Sequence, residues 1–214
     1  MPDRPHDPVI ESGLTASGLG FRRAGRPVFS GIDFALGPGE LLQVIGANGS
    51  GKTSLLRVLS GLLPPDEGEL RWRARPVRAG ESGYLQSLAY LGHADGIDPD
   101  LNAIENLQFA MRVAGGTPTL AQIESALASF GMEEAKHAPV RTLSQGQRRR
   151  VALARLALLP RTLWLLDEPL ASLDERAGEC FHAALDAHLR AGGIAVVATH
   201  QRLAAGGRTL QLGG

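Results

Sequence analysis

The sequence predicts an α/β fold built on buried parallel strands, with an antiparallel β subdomain and an inserted α-helical subdomain. Apolar runs at residues 41–45, 162–166 and 193–198 are typical of strands that are covered on both faces. Short alternating runs divided by Gly and Pro at residues 14–36 favour antiparallel strands. Residues 97–159 show helical periodicity and no strand pattern, so we expect the helical subdomain there.

Strand and helix patterns continue in turn along the chain. Strands are predicted at residues 41–45, 69–72, 87–91, 162–166, 193–198 and 209–212. Helices are predicted at residues 103–113, 120–130, 147–159 and 176–189, and after residue 53, where Leu55, Leu56, Val58, Leu59 and Leu62 recur at helical spacing. The strand at 69–72 follows a Pro-Pro turn, and the strand at 87–91 ends at Gly92-His93.

Length and composition narrow the class of protein. The 214 residues fit one large α/β domain or one domain with an inserted subdomain. A formal net charge of zero argues against a nucleic-acid binder that relies on a broad basic surface. The single cysteine, Cys180, excludes an intrachain disulfide and a cysteine-rich metal cluster. Residues 1–13 have no apolar signal region, and no apolar run approaches the ~20 residues that span a bilayer, so we expect membrane association only through a partner.

A glycine-rich loop follows the first parallel strand and precedes a helix. Its residues match G-x-x-x-x-G-K-[ST] at every fixed position: Gly46, Ala47, Asn48, Gly49, Ser50, Gly51, Lys52 and Thr53. Backbone N–H groups of such a loop and of the helix start form a nest for phosphate oxygens. Lys52 can reach the β- and γ-phosphates and Thr53 can ligate Mg²⁺, so the loop predicts a nucleoside-triphosphate site.

The apolar run at 162–166 stops at two carboxylates. The strand carries Asp167 to its carboxyl end, where it can hold the Mg²⁺ shell, with water between metal and carboxylate. Glu168 is then placed to accept a proton from an attacking water. About a hundred residues after a phosphate loop, this pair predicts the second half of a P-loop ATPase.

A second helix start lies at residues 143–147. Ser144 is a natural N-cap, and the arginine-rich helix that follows makes this start a candidate anion site. The alternative is a capped surface helix with a solvated arginine run.

These motifs, in this order, resemble the nucleotide-binding subunits of ABC transporters over nearly the whole chain. The resemblance implies a RecA-like ABC ATPase core with a Walker A loop at 46–53, a signature segment at 143–147, Walker B at 163–168 and a D-loop at 171–174. By this resemblance Glu168, His200 and His93 are catalytic. Nucleotide contacts come from the Walker A residues and from Ser144, Gly146, Gln147 and Asp174. Phe21 is either an adenine-stacking residue or a core phenylalanine.

Two positions depart from the family pattern. Gln145 replaces the usual first glycine of the signature, which leaves Ser144 and Gly146 to contact phosphate. At the Q-loop, the spacing to Glu105 selects His93 over the more distant Gln86. A neutral imidazole could touch the metal–water shell there, so His93 is also a candidate metal ligand.

Several separated features resemble one subfamily, the CcmA-type ATP-binding subunits of the heme exporter of bacterial cytochrome c maturation. They are Trp72, residues 90–93, residues 105–107, residues 163–169 and residues 199–201. The resemblance implies ATP and Mg²⁺ as cofactors, a homodimer, CcmB/CcmC-like membrane subunits and a place on the cytoplasmic face of the inner membrane. Heme would be handled only through partners, and nucleic acid is not expected.

Other readings of the motifs remain open. One alternative is the ATPase subunit of another small-molecule or lipoprotein exporter. Soluble ABC proteins that act on ribosomes or DNA, and P-loop kinases, are further classes.

As domains we predict one nucleotide-binding domain over residues 1–214. It comprises a loose leader (1–13), an ATP-binding core (14–93 and 161–214) and a helical signature subdomain (94–160).

Overall fold

The computed structural model describes residues 13–200, 203 and 206–213. Most of the predicted leader at 1–13, and Gln201 of the segment 199–201, lie outside the described residues. The described part of the chain contains a four-stranded antiparallel sheet, a five-stranded parallel sheet and six α-helices. The predicted α/β architecture with a separate antiparallel layer is confirmed.

The antiparallel sheet has the strand order β2-β1-β4-β5. Its strands are β1 (Leu14–Arg23), β2 (Arg26–Leu36), β4 (Glu67–Trp72) and β5 (Arg75–Pro76). The short runs predicted at 14–36 are joined into two long strands, because the glycines between them bend the ladder without ending it. Gly18 and Gly31 have φ angles of 58° and 63°, and the β1–β2 register shifts between Ala16 and Leu19.

The parallel sheet has the strand order β6-β7-β8-β3-β9. Its strands are β3 (Leu41–Ile45), β6 (Leu88–Leu91), β7 (Leu163–Asp167), β8 (Ile194–Thr199) and β9 (Arg208–Gln211). All four ladders are parallel, and every residue of β7 and β8 is buried. Because parallel strands end at one edge, the segments after β3, β6, β7 and β8 meet there.

The helices are α1 (Lys52–Leu59), α2 (Ser82–Leu85), α3 (Ala103–Val113), α4 (Leu120–Ala128), α5 (Gln145–Leu158) and α6 (Glu175–Arg190), with a 3₁₀ turn at Val140–Thr142. Leu62 was wrongly predicted on the apolar face of the first helix. That helix ends at Leu59, Gly61 adopts φ 74°, and Leu62 is 61% exposed. Within the described ranges, no helix is long and apolar enough to span a membrane.

Two apolar cores lie on opposite faces of the parallel sheet. Alternate residues of β8 enter each: Ala195 and Val197 face one core, and Ile194 and Val196 face the other. The first core also contains the buried faces of α3, α4 and α5, so the helical region predicted at 94–160 packs directly on the sheet. The second core lies between α1, the antiparallel sheet and the parallel sheet, and it holds the phosphate loop in place.

Candidate active site

A cavity of about 630 Å³ opens at the carboxyl edge of the parallel sheet. It brings together most of the predicted phosphate loop, His93, the two carboxylates and His200. Its lining is Arg23, Val28, Asn48, Gly49, Gly51, Lys52, Thr53, Ser54, His93, Asp167, Glu168, Ala171 and His200. The sequence therefore identified groups that are far apart in the chain and adjacent in space.

The loop enters α1 through a glycine. Gly51 is the N-cap of α1 with φ 100°, a conformation that L side chains rarely adopt. A Cβ at this position would lie 2.7 Å from Val28 Cγ1 on β2. No side chain of the described residues caps the helix start, so its first N–H groups are open to an anionic ligand.

Lys52 is the first residue of α1 and is 6% exposed. Its Nζ donates to the carbonyl oxygens of Gly46 at 2.7 Å and Ala47 at 3.2 Å, and lies 3.8 Å from Glu168 Oε1. Ser50 Oγ is buried without a hydrogen-bond partner among the described residues. A buried ammonium, in a loop that also holds an unsatisfied buried hydroxyl, suits the oxygens of a phosphate chain.

Thr53 and Asp167 meet beneath the loop. The Thr53 hydroxyl donates to Asp167 Oδ2 at 2.7 Å, and Asp167, at the end of β7, is 2% exposed. Hydroxyl and carboxylate oxygens side by side are the donor chemistry that Mg²⁺ takes from proteins when it is also held by phosphates. The residues present therefore fit the predicted magnesium site.

Glu168 is held in a conformation that is uncommon for a non-glycine residue. Its φ is 46°, and a hydrogen bond from its N–H to the buried Ala198 carbonyl, at 2.9 Å, helps to hold this strained backbone. The Oε2 atom accepts from His200 Nδ1 at 2.9 Å, so that ring nitrogen carries the hydrogen when Glu168 is ionised. The carboxylate is thereby aimed at the cavity from which Lys52 approaches.

The two candidates for the Q-loop position have different surroundings. His93 follows β6 directly and lines the cavity together with Lys52 and Glu168. Gln86 ends the short helix α2, and its carbonyl accepts a hydrogen bond from Arg161. The geometry favours His93, as the motif spacing did.

The signature residues Ser144, Gly146 and Gln147 lie outside this cavity lining. Ser144 caps α5: its Oγ accepts from Gln147 N–H at 3.2 Å, and Gln147 Oε1 accepts from Ser144 N–H at 2.9 Å. A Cβ on Gly146 would lie 2.6 Å from the Ser172 carbonyl oxygen, so only glycine allows α5 to approach the 171–174 segment this closely.

Asp174 caps α6 and is also absent from the cavity lining. It accepts from the Ala177 N–H at 2.9 Å and pairs with Arg150 of α5. These interactions, the backbone hydrogen bond first, hold the pKa of Asp174 below its ordinary value.

Phe21 lies on β1 with its ring centroid 6.0 Å from that of Phe29, at an interplanar angle of 31°. It packs at the border of the core that contains α1. Near the phosphate loop the cavity is lined instead by Arg23 and Val28. The adenine-stacking role of Phe21 stays a prediction.

Arg149 is the main functional candidate that the sequence interpretation missed. The sequence left the arginine run as part of a candidate anion site or as a solvated surface. Arg149 fits neither description, because it is 4% exposed and bonds to the main chain of Asp167 and Glu168. The signal was its helical spacing to Ala152, Leu153 and Leu156, which places Arg149 on the buried face of α5.

The fold and the site define an ABC-type P-loop nucleoside triphosphatase. The family model described as ABC transporter matches residues 29–171. A cytochrome c biogenesis ATP-binding export protein CcmA from Cupriavidus necator is 68% identical over 199 residues, which cover 93% of this chain and 87% of the relative. The CcmA of Bordetella bronchiseptica is 50% identical, with 88% and 83% covered. The chain belongs to the CcmA family of ABC transporter ATP-binding proteins.

Solved structures agree on the fold. An ABC transporter ATP-binding protein from Pyrococcus furiosus has a TM-score of 0.84 at 24% identity, covering 94% of this chain and 98% of its own. A dimeric ATP-binding cassette in a post-hydrolysis state, bound to ADP and phosphate, has a TM-score of 0.77 at 22% identity, covering 88% of each chain.

Proposed function

We propose that this protein is the ATP-hydrolysing subunit of a CcmAB-type heme exporter that serves cytochrome c maturation. The observation that carries the ATPase part is the convergence of Lys52, the Thr53–Asp167 pair and the Glu168–His200 pair on one cavity. The exporter part rests on relatives named as cytochrome c biogenesis ATP-binding export proteins at 68% and 50% identity. The reaction is ATP and water to ADP and phosphate.

Each residue has a distinct task in this reaction. The open start of α1 and Lys52 bind the β- and γ-phosphates, and the Thr53 and Asp167 oxygens would hold Mg²⁺. Bound Mg²⁺ neutralises charge on the phosphate oxygens. Glu168 accepts the proton of the attacking water, and His200 holds the carboxylate in its orientation. His93, which lines the cavity just after the end of β6, would face the bound metal and its water.

A complete site requires two copies of the chain. Ser144, Gly146 and Gln147 are candidates for contacting phosphate, yet none of them lines the cavity that contains Lys52. In a homodimer, the signature segment of one copy would cover the phosphate loop of the other. A structural neighbour described as a dimeric cassette with ADP and phosphate has a fold that permits this arrangement.

Membrane partners complete the proposed exporter. We place CcmB/CcmC-like integral membrane subunits near residues 97–110, where Phe109 of α3 is 62% exposed. Val113, one turn further along α3, is 74% exposed. The chain would then lie peripherally on the cytoplasmic face of the bacterial inner membrane. Heme would be handled by the partners, and this subunit would supply ATP-driven closure.

The decisive variant is Glu168→Gln. It keeps the shape of the side chain but removes the proton acceptor, so we expect ATP binding to persist while kcat falls by about 10²–10⁴-fold. The closed dimer should accumulate with ATP and Mg²⁺, measured by size-exclusion chromatography with light scattering. In cells that lack their own CcmA, the variant should fail to support heme attachment to c-type cytochromes.

The matched control is Glu179→Gln, which makes the same chemical change on an exposed position of α6. It should hydrolyse ATP and support cytochrome c maturation like the unchanged chain. An E168Q protein that hydrolyses ATP at the normal rate would refute the catalytic assignment. Normal cytochrome c maturation with E168Q would refute the exporter assignment.

A further inference from the structure

The Arg149 guanidinium connects three segments that are separate in the chain. Nη2 donates to the carbonyl oxygens of Asp167 at 2.6 Å and Glu168 at 2.8 Å. Nη1 donates to the Gly92 carbonyl at 3.0 Å and to Asp95 Oδ1 at 3.0 Å. A longer bond runs from Nε to the Pro169 carbonyl at 3.4 Å. One side chain of α5 therefore reaches the ends of both β6 and β7.

This arrangement is specific to a guanidinium. The Arg149 side chain is 5% exposed, and that of its carboxylate partner Asp95 is 19% exposed. A cation so buried requires hydrogen bonds and a counter-charge, because desolvation is otherwise strongly unfavourable. The other four acceptors are main-chain carbonyls, which the planar fork of arginine can bridge and a single ammonium cannot.

The segments that Arg149 holds carry two of the catalytic candidates. Glu168 has its N–H bonded to Ala198 and its carbonyl bonded to Arg149, so both sides of its left-handed backbone are restrained. His93 lies between Gly92 and Asp95, which are both bonded to the same guanidinium. Arg155 adds a second connection from α5, donating to the Gly96 carbonyl at 3.0 Å.

We propose that Arg149 is a positioning residue that sets Glu168 and the His93 segment (residues 92–96) in a fixed relation to each other. It does not touch the nucleotide; it acts through the main chain of Glu168 and of the His93 segment. A displacement of the His93 segment is therefore transmitted to the catalytic carboxylate through one guanidinium. This role rests on the proposed function, since it describes how the proposed general base is aimed.

The kinetic test compares Arg149→Ala with Arg148→Ala. Arg148 precedes Arg149 on α5 and makes none of the contacts described above. For Arg149→Ala we expect kcat to fall about 10–100-fold, because small misplacements of catalytic groups have effects of this size. The Kd for ATP, measured with a fluorescent ATP analogue, should stay within about twofold, since the phosphate loop is untouched.

Chemical rescue separates positioning from general loss of packing. Guanidinium ion added below denaturing concentrations should restore much of the kcat of Arg149→Ala and leave Arg148→Ala unaffected. If folded Arg149→Ala has a kcat within about twofold of the unchanged chain, the proposal is wrong. It is also wrong if the loss of activity is entirely a loss of ATP affinity.

Hydrogen exchange tests the role without turnover. In Arg149→Lys, which keeps the charge and is less disruptive, the Glu168 and Ala171 amides should exchange at least about tenfold faster than in Arg148→Lys. The Glu168 N–H donates to the Ala198 carbonyl, and the Ala171 N–H donates to the Glu168 carbonyl, which Arg149 also binds. Unchanged exchange there would overturn the positioning role. Lack of ATP hydrolysis by the unchanged chain would instead overturn the proposed function.

Discussion

The starts of α1 and α5 have the same dipole and the same orphan N–H groups, but they are capped differently. At α1 the cap is Gly51, in a left-handed conformation and without a side-chain bond. At α5 the Ser144 side chain and the Gln147 side chain close a capping box. The first helix start is open to a ligand, whereas the second is already satisfied by its own residues.

The surroundings of the two helix starts extend this difference. Lys52, Asp167 and Glu168 converge on the start of α1 from within one chain. The start of α5 packs against the Ser172 carbonyl and does not share that cavity. We expect the α1 start to bind nucleotide in a single chain. The α5 start should contribute only when a second copy closes on it and its capping bonds are exchanged for bonds to phosphate.

The largest effect is expected from Lys52→Ala, which removes the buried cation of the α1 site. Loss of a buried, hydrogen-bonded charge partner should weaken ATP binding by about 2–5 kcal/mol. Titration with a fluorescent ATP analogue measures this loss of affinity. The control is Lys136→Ala, since among the described residues that lysine pairs with Glu124 alone, and its side chain is 27% exposed. Equal affinity in both variants would mean that the α1 start is not the nucleotide site.

A smaller effect is expected from Ser144→Ala at the start of α5. Loss of the cap should reduce the free energy of unfolding by about 1 kcal/mol. ATP affinity of the single chain should not change, whereas hydrolysis should fall about tenfold or more because one phosphate donor is lost in the dimer. Stability is measured by urea denaturation and hydrolysis by phosphate release.

Thr119→Ala is the control for Ser144→Ala. Thr119 caps α4 with the same kind of capping box, to Gln122. It should lose similar stability and keep full hydrolysis. If both variants lose hydrolysis equally, the effect of Ser144→Ala is one of stability, and the contrast between the two helix starts has no functional meaning.

Gly146→Ala tests how closely α5 must approach the 171–174 segment. The added methyl would lie 2.6 Å from the Ser172 carbonyl oxygen, and we expect the free energy of unfolding to fall by about 1–3 kcal/mol. Gly178 lies within α6, and a methyl group there would have its nearest neighbour, Leu170 Cδ2, at 3.8 Å. Gly178→Ala should therefore be neutral or more stable by about 0.5–1 kcal/mol. Thermal unfolding of both variants gives the comparison.

The smallest effect concerns His188, which lies away from both helix starts. It stacks on Trp164 with ring centroids 4.0 Å apart, and Nε2 donates to the Ile194 carbonyl. Burial lowers the pKa of His188, so the unfolded chain takes up this proton more readily than the folded chain. Stability from this group is therefore present above the unfolded pKa of about 6.5 and declines as the pH falls below it.

His188→Gln should flatten this pH dependence of the unfolding temperature. His137→Gln, at an exposed position, should leave it unchanged. If the unfolding temperatures of the two variants have the same pH profile, His188 is not the source of the pH dependence.

Local patterns were sufficient to predict much of the site. The strand, loop and helix at residues 41–59 were predicted because turn chemistry and apolar spacing act within a few residues. The position of Asp167 at the end of β7 was predicted because a buried strand must end where the charges begin. Ser144 was correctly predicted as a cap, since capping also depends only on near neighbours.

Long-range packing explains what was missed. Leu62 has the right spacing for the core, but α1 ends before it, so the residue faces solvent. Arg149 looks like its neighbours in an arginine run, yet its acceptors at and after the ends of β6 and β7 are 18 to 57 positions away in the chain. The short strand β5 and helix α2 have too few residues for a periodic signal.

By itself the sequence determined the chemical groups of this protein, the elements that carry them and the family to which it belongs, because these depend on residue type and near spacing. The tertiary structure alone decided that Glu168 lies in a left-handed conformation, that His200 bonds to it and that a buried Arg149 holds its main chain. It also decided that the start of α1 is open and the start of α5 is closed within one chain. These features depend on which distant atoms meet when the sheet and the helices pack, and residue spacing carries no information about such contacts.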